Sequence, residues 1–551
     1  MGKHRIWVCA SIALALASRV FAQPAITGGV VNATGFQSKL APGALFLVTG
    51  SGLGPSSIVT ASAPSYPASL AGTSITFTPA GGGAAINARM IYTLATQVAG
   101  MLPSSTAPGT YAVRVIYNNQ TSVPQNVTVV ARSFGIAAAN SAGTGTAQAT
   151  LQNVNGGLSL TRFTTGSMAY GGSTWTLTPA HAGDTLVFWG TGGGADGAND
   201  AGGSSGDQAA AGSFMLMVGG RQIAPSFAGT TSGYPGLWRI SFTLPSDIAA
   251  DCFASAQVSA GGELGNTVSI PIAAAGQTAC SDPDLSPEIL AKIAAGGEIT
   301  VGAFGVFRVL DTDAAVTIEA SSGFVGRYLA SAWALNFSGP TFGPCRLYDR
   351  TYPVGGKDPA SPEVRLDAGP QLPLSGPSLA GGTALARTLT PDGPVYEFLP
   401  PTGTFATGQY TLTGNGGPQV GPFNVSALFP ASFTVTNWDA VTAVNRAAPL
   451  TLNWTGSGFD KVAIVISTSA LVGTNEHLAT LNCMVPGSPG TYSIPPEALA
   501  GLLPVTSMFG ALSVQATSVP GTFTATLASG GQTDIGIFSA NLGASKAVPV
   551  Q

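Results

Sequence analysis

The sequence predicts an all-β protein of tandem immunoglobulin-like (Ig-like) β-sandwich domains with one short linker helix. Short apolar runs recur about every 8–12 residues and are separated by turn residues, as is typical of β-sandwiches. Glycine and proline are abundant, with 74 and 39 residues among 551. A segment that begins at Ala41 also recurs, in modified form, from Ala182. At about 100–200 residues per domain, the length predicts roughly three to five domains.

The charge composition excludes several classes of protein. Lys and Arg total 21, Asp and Glu total 25, and only 8% of the residues are charged. Because a nucleic-acid binder needs a basic face for the phosphates, we expect no nucleic-acid partner. The mean hydropathy is +0.32, but no apolar run beyond residue 22 approaches the roughly 20 residues that span a bilayer. We therefore expect no membrane span once the N-terminal segment is removed.

The N-terminal segment has the features of a secretory signal peptide. Residues 3–5 are basic, residues 6–17 are largely apolar, and small residues stand just before position 23. This pattern predicts a signal peptide over residues 1–22, with cleavage between Ala22 and Gln23. We therefore expect a mature chain that is secreted or held at the cell surface, where disulfides persist.

Four cysteines follow the predicted signal peptide, at Cys252, Cys280, Cys345 and Cys483. Four cysteines allow three pairings, and their spacing alone does not choose among them. Cys252 and Cys280 flank one strand–turn–strand segment, and we predict a disulfide between them that stabilises by roughly 3–4 kcal/mol on the chain-entropy model. Cys345 and Cys483 fall in different predicted domains, so a disulfide and two buried free thiols both stay open.

The recurring segment divides the N-terminal half into two domains. Residues 41–54 and 182–194 both have the pattern of a turn, a short apolar strand and a glycine-rich turn. Each copy is followed by a second matching segment that ends in Leu-Pro, at Pro103 and at Pro245. The repeat predicts two tandem Ig-like sandwiches, over residues 23–132 and 133–275.

The same region resembles a known module. The run Leu-Ala-Pro-Gly-Ala-Leu-Phe-Leu-Val-Thr-Gly-Ser-Gly-Leu-Gly, residues 40–54, and Tyr-Asn-Asn-Gln-Thr-Ser, residues 117–122, carry the resemblance. They are similar to the Ig-like, IPT/TIG-like module of secreted acidobacterial (Solibacter-type) proteins, over about residues 25–275. The resemblance implies an Ig-like fold in a secreted bacterial protein, and it implies no catalytic residue. The module is usually C-terminal, whereas here it is N-terminal, and residues 192–207 depart from its pattern.

Residues 276–298 are predicted to form a linker that contains the short helix. Ser286 is a favourable N-cap, Pro287 suits the first helical position, and Gly296 suits the end of the helix. The remaining chain is predicted to form a β-sandwich over residues 299–430 and an Ig-like β-sandwich with a C-terminal tail over residues 431–551.

An acidic, glycine-rich stretch follows the second copy of the repeated strand. Its oxygen-bearing side chains are of the kind that bind calcium, a hard cation, but their spacing fits no EF-hand loop. We therefore expect a solvated acidic loop, with a calcium site as the alternative. The residues in question are Asp196, Asn199, Asp200 and Asp207.

The densest charge of the chain lies over residues 346–367. Positive and negative residues nearly balance and prolines interrupt the run, so we expect a loop with several ion pairs. This segment is our first choice for a specific binding loop. The alternative is a pair of carboxylates about 5–10 Å apart that hydrolyses glycosidic bonds. The charged residues are Arg346, Asp349, Arg350, Lys357, Asp358, Glu363, Arg365 and Asp367.

Two functional classes follow from these observations. The first is a secreted, non-enzymatic array of Ig-like modules with a structural, adhesive or ligand-binding role, whose partner is a polysaccharide or a surface protein. The second is an extracellular polysaccharide hydrolase with its acid pair in residues 346–367. A concave site that holds two carboxylates would favour the hydrolase, and a flat polar or aromatic face would favour the binding protein. Apart from calcium, the sequence predicts no cofactor.

Overall fold

The computed structural model describes residues 23–551 except 140, 142, 144, 153–157, 171, 210–213, 283–284, 335–340 and 473–474. The predicted signal peptide, residues 1–22, lies outside the described residues, as does Ala22 of the predicted cleavage site. The described chain consists mainly of β-strands in successive sheets, with a few short helices. The prediction of an all-β protein of tandem Ig-like sandwiches with a short linker helix is confirmed.

The first sandwich consists of two sheets, with strand orders β1-β3-β8-β7-β4 and β2-β11-β9-β5-β6, and with β10 paired to β9. Alternate residues of its strands point into the core, where the rings of Phe46 and Phe77 pack edge to face at 5.2 Å. The strands are β1 (Ala25–Asn32), β2 (Lys39–Leu40), β3 (Leu45–Ser51), β4 (Val59–Thr60), β5 (Thr73–Pro79), β6 (Ile86–Asn87), β7 (Arg89–Thr93), β8 (Gln97–Met101), β9 (Gly109–Tyr117), β10 (Gln120–Thr121) and β11 (Gln125–Val129).

The second sandwich contains strands β12 to β23 and a short 3-10 turn at Asn199–Ala201. The strands are β12 (Gly135–Ile136), β13 (Ala149–Gln152), β14 (Leu158–Thr161), β15 (Gly166–Tyr170), β16 (Ser173–Thr178), β17 (Thr185–Thr191), β18 (Phe214–Val218), β19 (Arg221–Ile223), β20 (Phe227–Thr230), β21 (Trp238–Thr243), β22 (Asp251–Ala260) and β23 (Glu263–Ile272). The repeated segments form β3 and β17, and the second matching segments lie on or just after their hydrogen-bonded neighbours β8 and β21. The repeat in the sequence therefore corresponds to an equivalent strand pair in each sandwich.

The linker helix has the predicted bounds. Helix α1 (Pro287–Ala295) begins after Ser286, whose side chain accepts a hydrogen bond from the backbone N–H of Ile289, and ends at Gly296 in the left-handed conformation. Because glycine has no Cβ, it adopts this conformation without steric cost. The apolar side of α1 packs against the second sandwich and the start of the following sheet, and this shared cluster includes Leu290 and Phe253.

The C-terminal half is organised around one large sheet. Its main strand order is β26-β27-β37-β36-β39-β41-β24-β25-β31-β30-β29-β32-β33, with β28 on β25 and β40 on β41, and a separate sheet has the order β34-β35-β38. The strands are β24 (Glu298–Asp311), β25 (Val316–Leu329), β26 (Thr341–Phe342), β27 (Cys345–Pro353), β28 (Val364–Leu366), β29 (Gln371–Ser375), β30 (Ala384–Thr390), β31 (Gly393–Phe398), β32 (Gly408–Gly414), β33 (Phe423–Phe429), β34 (Ser432–Val435), β35 (Leu450–Ser457), β36 (Lys461–Val472), β37 (Asn475–Pro486), β38 (Thr491–Ile494), β39 (Gly510–Thr517), β40 (Gly521–Thr522) and β41 (Ile535–Ala547). The helices are α2 (Ala330–Ala334), α3 (Pro496–Leu499) and a 3-10 turn at Trp438–Ala440.

This large sheet crosses the predicted boundary at residue 430. Strand β41 pairs in parallel with β24 and in antiparallel fashion with β39, so it belongs to both halves of the sheet. The core around Phe304 also contains Phe523 and Phe538 from the end of the chain. Conversely, Leu347 packs into the core around Trp454. Each of these two cores therefore takes residues from both predicted domains.

The predicted C-terminal tail is part of the fold. Val548 and Val550 are buried in the core around Trp454, and Val550 forms backbone bridges with Val444 and Val505. The apolar character of alternate residues explains this burial, since each provides a side chain to the core.

Two disulfides are present. The predicted bond joins Cys252 to Cys280, with Cα atoms 5.4 Å apart, and it lies in the cluster that surrounds the linker helix. The second bond joins Cys345 to Cys483, which settles the alternative that the sequence left open. These two residues lie directly opposite each other on the antiparallel strands β27 and β37. Disulfides of this kind are typical of extracytoplasmic proteins.

Hydrogen bonds and an ion pair join the first two sandwiches. The side-chain amide of Asn32 donates to the carbonyl of Ser133 at 3.0 Å, and the backbone N–H of Leu45 donates to Thr191 Oγ1 at 2.8 Å. Lys39 also forms an ion pair with Glu263 at 2.8 Å. Within the described part of the chain, no helix has both the length and the apolar character needed to cross a membrane.

Candidate functional site

Six neighbouring strands of the large sheet expose a polar surface on the side opposite the core around Trp454. Their order is β24, β41, β39, β36, β37 and β27. The other side of β39, β36, β37 and β27 packs into that core, and the other side of β24 and of the start of β41 packs into the core around Phe304. Most of the residues that alternate with these core residues are partly exposed. We call this surface the polar face. Its main members are Asp311, Asn541, Ser545, Ser513, Gln515, Ser467, Thr480, Asn482, Arg346, Tyr348 and Arg350.

The strand register places these side chains in rows across the sheet. One row runs through Asp311, Ser545, Ser513, Val465, Asn482 and Arg346, which are successive register partners. The next row runs through Ala547, Ala511, Ser467, Thr480 and Tyr348. Neighbouring strands are about 4.8 Å apart, so adjacent polar residues of a row lie close together. The apolar Val465 interrupts the first row, and Ala547 and Ala511 occupy one end of the second.

Hydroxyl and amide groups share the centre of the polar face with small and apolar residues such as Ala463 and Val465. The Gln515 amide donates to Ser513 Oγ at 2.9 Å, and the hydroxyls of Ser467 and Thr480 lie 3.1 Å apart. Each hydroxyl combines one donor with two acceptor positions, and each amide has both donors and an acceptor. These groups therefore keep hydrogen-bonding capacity for a ligand. The side-chain carbonyl oxygen of Asn482 has no hydrogen-bond donor within the described structure, but it is occluded and therefore not open to a ligand.

The second sandwich borders the polar face at β27. The guanidinium of Arg346 lies 5.7 Å from the ring centroid of Phe253, a residue of the second sandwich. Burial raises the pKa of the neighbouring Tyr348, although the charges of Arg346 and Arg350 lower it in part. The polar face thus ends at a junction between the second sandwich and the large sheet.

An open cleft lies at the end of the polar face. It has a volume of about 430 Å³ and is formed where the turn after β24 meets the residues before β39. Serine hydroxyls, two carboxylates and Lys546 provide most of its polar lining, and a phenylalanine and a methionine provide much of its apolar lining. The residues that characterise it are Asp311, Asp313, Ser467, Ser469, Met508 and Phe509.

The predicted binding loop at residues 346–367 is split between two places. Cys345–Pro353 forms strand β27, not a loop, because Cys345 and Leu347 alternate with charged residues and are buried in the core. Arg346 and Arg350 therefore lie on the polar face, whereas Arg365 lies on β28 beside the Phe324 ring, 4.8 Å from its centroid.

The predicted ion pairs are present, and each carboxylate in this stretch has a cationic or ionisable partner. Asp349 accepts a hydrogen bond from His477 at 2.5 Å, and this bond raises the pKa of His477, although burial opposes the shift. The remaining pairs are Arg350 with Asp358 at 3.4 Å, Lys357 with Glu363 at 3.5 Å, and Arg387 with Asp367.

The acidic stretch of the second sandwich is folded tightly rather than solvated. Asp196 is only 4% exposed, and its carboxylate accepts hydrogen bonds from the hydroxyls of Ser205 and Thr230. It also accepts bonds from the backbone N–H groups of Ala198 at 3.2 Å and Ser205 at 3.1 Å. Burial raises the pKa of Asp196, but its hydrogen bonds together lower it by more than burial raises it. The pKa is therefore below its usual value.

The other three residues of the predicted calcium site are likewise engaged. The amide of Asn199 donates to the carbonyls of Gly203 and Thr231, and Asp200 accepts from the hydroxyl and backbone N–H of Ser104 in the first sandwich. Asp207 accepts from backbone N–H groups, which lower its pKa. Within the described residues, no group of three or more His, Cys, Asp or Glu side chains is placed to hold a metal ion.

The comparisons with known proteins give fold likeness only. No family model matches the chain, and no curated protein matches it. The resemblance to the acidobacterial module therefore stays a prediction. Among solved structures, the chain is similar to the full extracellular region of plexin A4, with 9% identity, 89% coverage of this chain, 31% of that chain and a TM-score of 0.16. The chain thus spans about a third of the plexin chain.

Two surface proteins of Bacteroides are also similar. One is the SGBP-B of a Bacteroides ovatus mixed-linkage glucan utilization locus, solved with a mixed-linkage heptasaccharide, with 13% identity, 55% and 67% coverage of the two chains, and a TM-score of 0.21. The other is an SGBP-B from a xyloglucan utilization locus of Bacteroides uniformis, with 10% identity, 86% and 98% coverage, and a TM-score of 0.15.

Most residues of the polar face were not predicted as site residues from the sequence. Ser513 and Gln515 alternate with buried residues along β39, and Val465 and Ser467 do the same along β36. This alternation is visible in the sequence, but it does not reveal which strands become neighbours. The face forms only when strands that are far apart in the chain pair with one another.

Proposed function

We propose that this chain is a secreted or surface-held, non-enzymatic bacterial binding protein, and that the polar face binds a neutral, hydroxyl-rich polymer such as a polysaccharide. The observation that carries the proposal is the set of hydroxyl and amide groups that strand pairing brings together on β41, β39, β36 and β37, with Ser513 beside Ser545 and Ser467 beside Thr480. Sugar hydroxyls both donate and accept hydrogen bonds, which matches the mixed capacity of these side chains.

The charge distribution supports a neutral ligand. The central members of the polar face, such as Asn541, Gln515 and Thr480, are uncharged. The charged Asp311 and Arg346 lie on the outermost strands, and the charged Lys461 lies at the first position of β36. A charged polymer would require a charged surface along its length. A sheet also provides a fixed surface, and a preorganised surface lowers the entropic cost of binding.

The hydrolase alternative has less support. Asp349 lies beside His477 and Asp358 beside Arg350, so these carboxylates face basic side chains rather than one another. An acid pair for glycoside hydrolysis requires two carboxyl groups on either side of the scissile bond. The hydrolase stays as an outcome of the test below.

The test is a binding assay of the purified chain with cellulose, xylan, mixed-linkage glucan and pectin, which also measures reducing sugar. We expect binding to at least one neutral polysaccharide without sugar release. The double variant Gln515→Ala, Asn541→Ala should weaken that binding about tenfold or more, which corresponds to about 1.4 kcal/mol. The matched control is Gln222→Ala, which removes the same side chain from an exposed strand position of the second sandwich.

Three outcomes would overturn the proposal. The first is the absence of binding to all four polysaccharides, and the second is equal weakening of binding by the control variant. The third is sugar release that is lost on Asp349→Asn, which would establish the hydrolase.

A further inference from the structure

We infer that the cleft at the end of the polar face is a subsite that binds one or two sugar rings of the same polymer, with Phe509 as the stacking surface. This inference rests on the proposed function and adds a specific contact to it. The cleft volume of about 430 Å³ lies within the range of about 300–1,000 Å³ that is usual for ligand pockets.

The apolar lining of the cleft is unusually exposed. The Phe509 side chain is 48% exposed and the Met508 side chain 82% exposed. Exposed apolar residues with a polar rim mark binding sites in soluble proteins, because their burial against a ligand releases water from apolar surface. The aromatic face carries partial negative charge, which favours contact with the weakly positive C–H groups of a sugar ring.

The backbone around Phe509 is held in place. Its carbonyl accepts a hydrogen bond from the backbone N–H of Ser469 at 2.9 Å, and its N–H donates to the carbonyl of Thr506 at 3.0 Å. The ring is therefore attached to a fixed backbone segment at the start of β39. A positioned ring loses less conformational entropy on binding than a ring on a mobile loop.

The carboxylates of the cleft are also oriented by the backbone. One oxygen of Asp311 accepts from the N–H groups of Asp313 at 3.0 Å and Ala314 at 3.1 Å. The carboxylate of Asp313 accepts from the N–H of Ala547 through one oxygen. A carboxylate has two oxygens and about four lone-pair positions, so each keeps acceptor capacity for ligand hydroxyls.

Lys546 also lines the cleft, and its ammonium is bound by a residue outside the lining. Its ammonium donates to the carbonyl of Trp438 at 2.5 Å and lies 4.4 Å from the centroid of the Trp438 ring. Burial lowers the pKa of Lys546, although the nearby charges of Asp439 and Asp313 raise it in part. Adjacent acceptors beside an aromatic ring suit a sugar, whose ring has hydroxyls at its edge and C–H groups on its faces.

The experiment is isothermal titration calorimetry of the full chain with cellohexaose, xylohexaose and a mixed-linkage glucan hexasaccharide. We expect Phe509→Ala to weaken binding of the recognised hexasaccharide about tenfold or more. Asp313→Asn should weaken it as well, because the amide keeps one acceptor for the Ala547 N–H but replaces the other with a donor. The control is Val519→Ala, which truncates an apolar side chain that is 69% exposed outside the cleft lining.

The outcomes separate this inference from the proposed function. If polysaccharide binding depends on Gln515 and Asn541 but hexasaccharide affinity is unchanged in Phe509→Ala and Asp313→Asn, the cleft subsite is wrong and the proposed function stands. If the chain binds none of the polysaccharides, both are wrong. Binding of an oligolysine peptide that Asp313→Asn abolishes, without hexasaccharide binding, would assign the cleft to a cationic partner and overturn the inference.

Discussion

Arg308 and Glu319 face each other across the β24–β25 hairpin, and Arg308 Nε donates to the Glu319 carboxylate at 2.5 Å. The Glu319 side chain is 0% exposed. Its two carboxylate oxygens also accept hydrogen bonds from the backbone N–H groups of three consecutive residues, Gly403, Thr404 and Phe405. One buried carboxylate thus joins the hairpin to the loop before β32.

We expect Glu319→Ala to lower the free energy of unfolding by about 3 kcal/mol or more, because the loss of one partner leaves a partly buried charge and three backbone donors without an acceptor. Denaturant unfolding of the purified variant measures this change. The control is Asp247→Ala, which removes one partner of an exposed ion pair with Arg221 and should cost little. Equal stability of the two variants would contradict the structural role of Glu319.

The same carboxylate predicts a dependence of stability on pH. Burial raises the pKa of Glu319, but the hydrogen bonds and the charge of Arg308 together lower it by more than burial raises it. Its folded pKa is therefore below 4.5. Its contribution to stability is therefore present above pH 4.5 and is lost as the pH falls through the folded pKa. We expect the unfolding free energy of the wild type to fall with acidification more steeply than that of Glu319→Gln, as measured by denaturant unfolding over this range.

The two disulfides predict different losses of stability. The sequence separation between the bonded cysteines is 138 for Cys345–Cys483 and 28 for Cys252–Cys280, so the first bond closes the longer loop. On the chain-entropy model, we expect the double alanine variant of the first pair to lose about 5 kcal/mol and that of the second about 3.5 kcal/mol. Guanidinium unfolding under non-reducing conditions measures both. A larger loss for the shorter loop would show that native-state contacts, not loop closure, dominate.

Local features of the structure were predictable from the sequence. The bounds of α1 follow from the N-cap Ser286, Pro287 and Gly296, all within or next to the helix itself. Cys252 lies at the start of β22, and Cys280 follows shortly after the end of β23, so the β22–β23 hairpin brings the two cysteines to the same end. Such contacts depend on residues that are close in sequence.

Distant strand pairing was not predictable from the same signals. The parallel pairing of β24 with β41 joins residues such as Val301 and Ile535, and no local pattern in either strand specifies its partner. We predicted a loop at residues 346–367 from their dense charge. Cys345 and Leu347, which alternate with more polar residues, instead place Cys345–Pro353 in a strand. The Cys345–Cys483 bond and the polar face both depend on these distant pairings.

The hydrogen bonds of Asp196 predict how the second sandwich responds to calcium. Because Ser205 and Thr230 donate to its carboxylate, a calcium ion would have to displace both hydroxyls. We expect added calcium or a chelator to leave the Tm unchanged in a thermal unfolding scan. A rise of several degrees with millimolar calcium that Asp207→Asn abolishes would instead establish the calcium site that the sequence left as an alternative.

Tyr396 predicts an alkaline limit to stability. Its hydroxyl accepts a hydrogen bond from the Ala368 N–H at 2.8 Å and donates to the Gly369 carbonyl at 3.0 Å, and burial raises its pKa from 10.0 to about 12. The unfolded tyrosine ionises first, so its contribution is present below pH 10.0 and is lost as the pH rises toward about 12.

We therefore expect wild-type stability to fall more steeply between these two pH values than that of Tyr396→Phe, which has no ionisable group. At neutral pH the variant should be less stable by about 1–3 kcal/mol, because the buried Ala368 N–H loses its acceptor. Denaturant unfolding across this range measures both effects, and Tyr234→Phe, at a tyrosine that is 57% exposed, is the control. Parallel pH profiles for wild type and Tyr396→Phe would show that Tyr396 ionises equally in the folded and unfolded states.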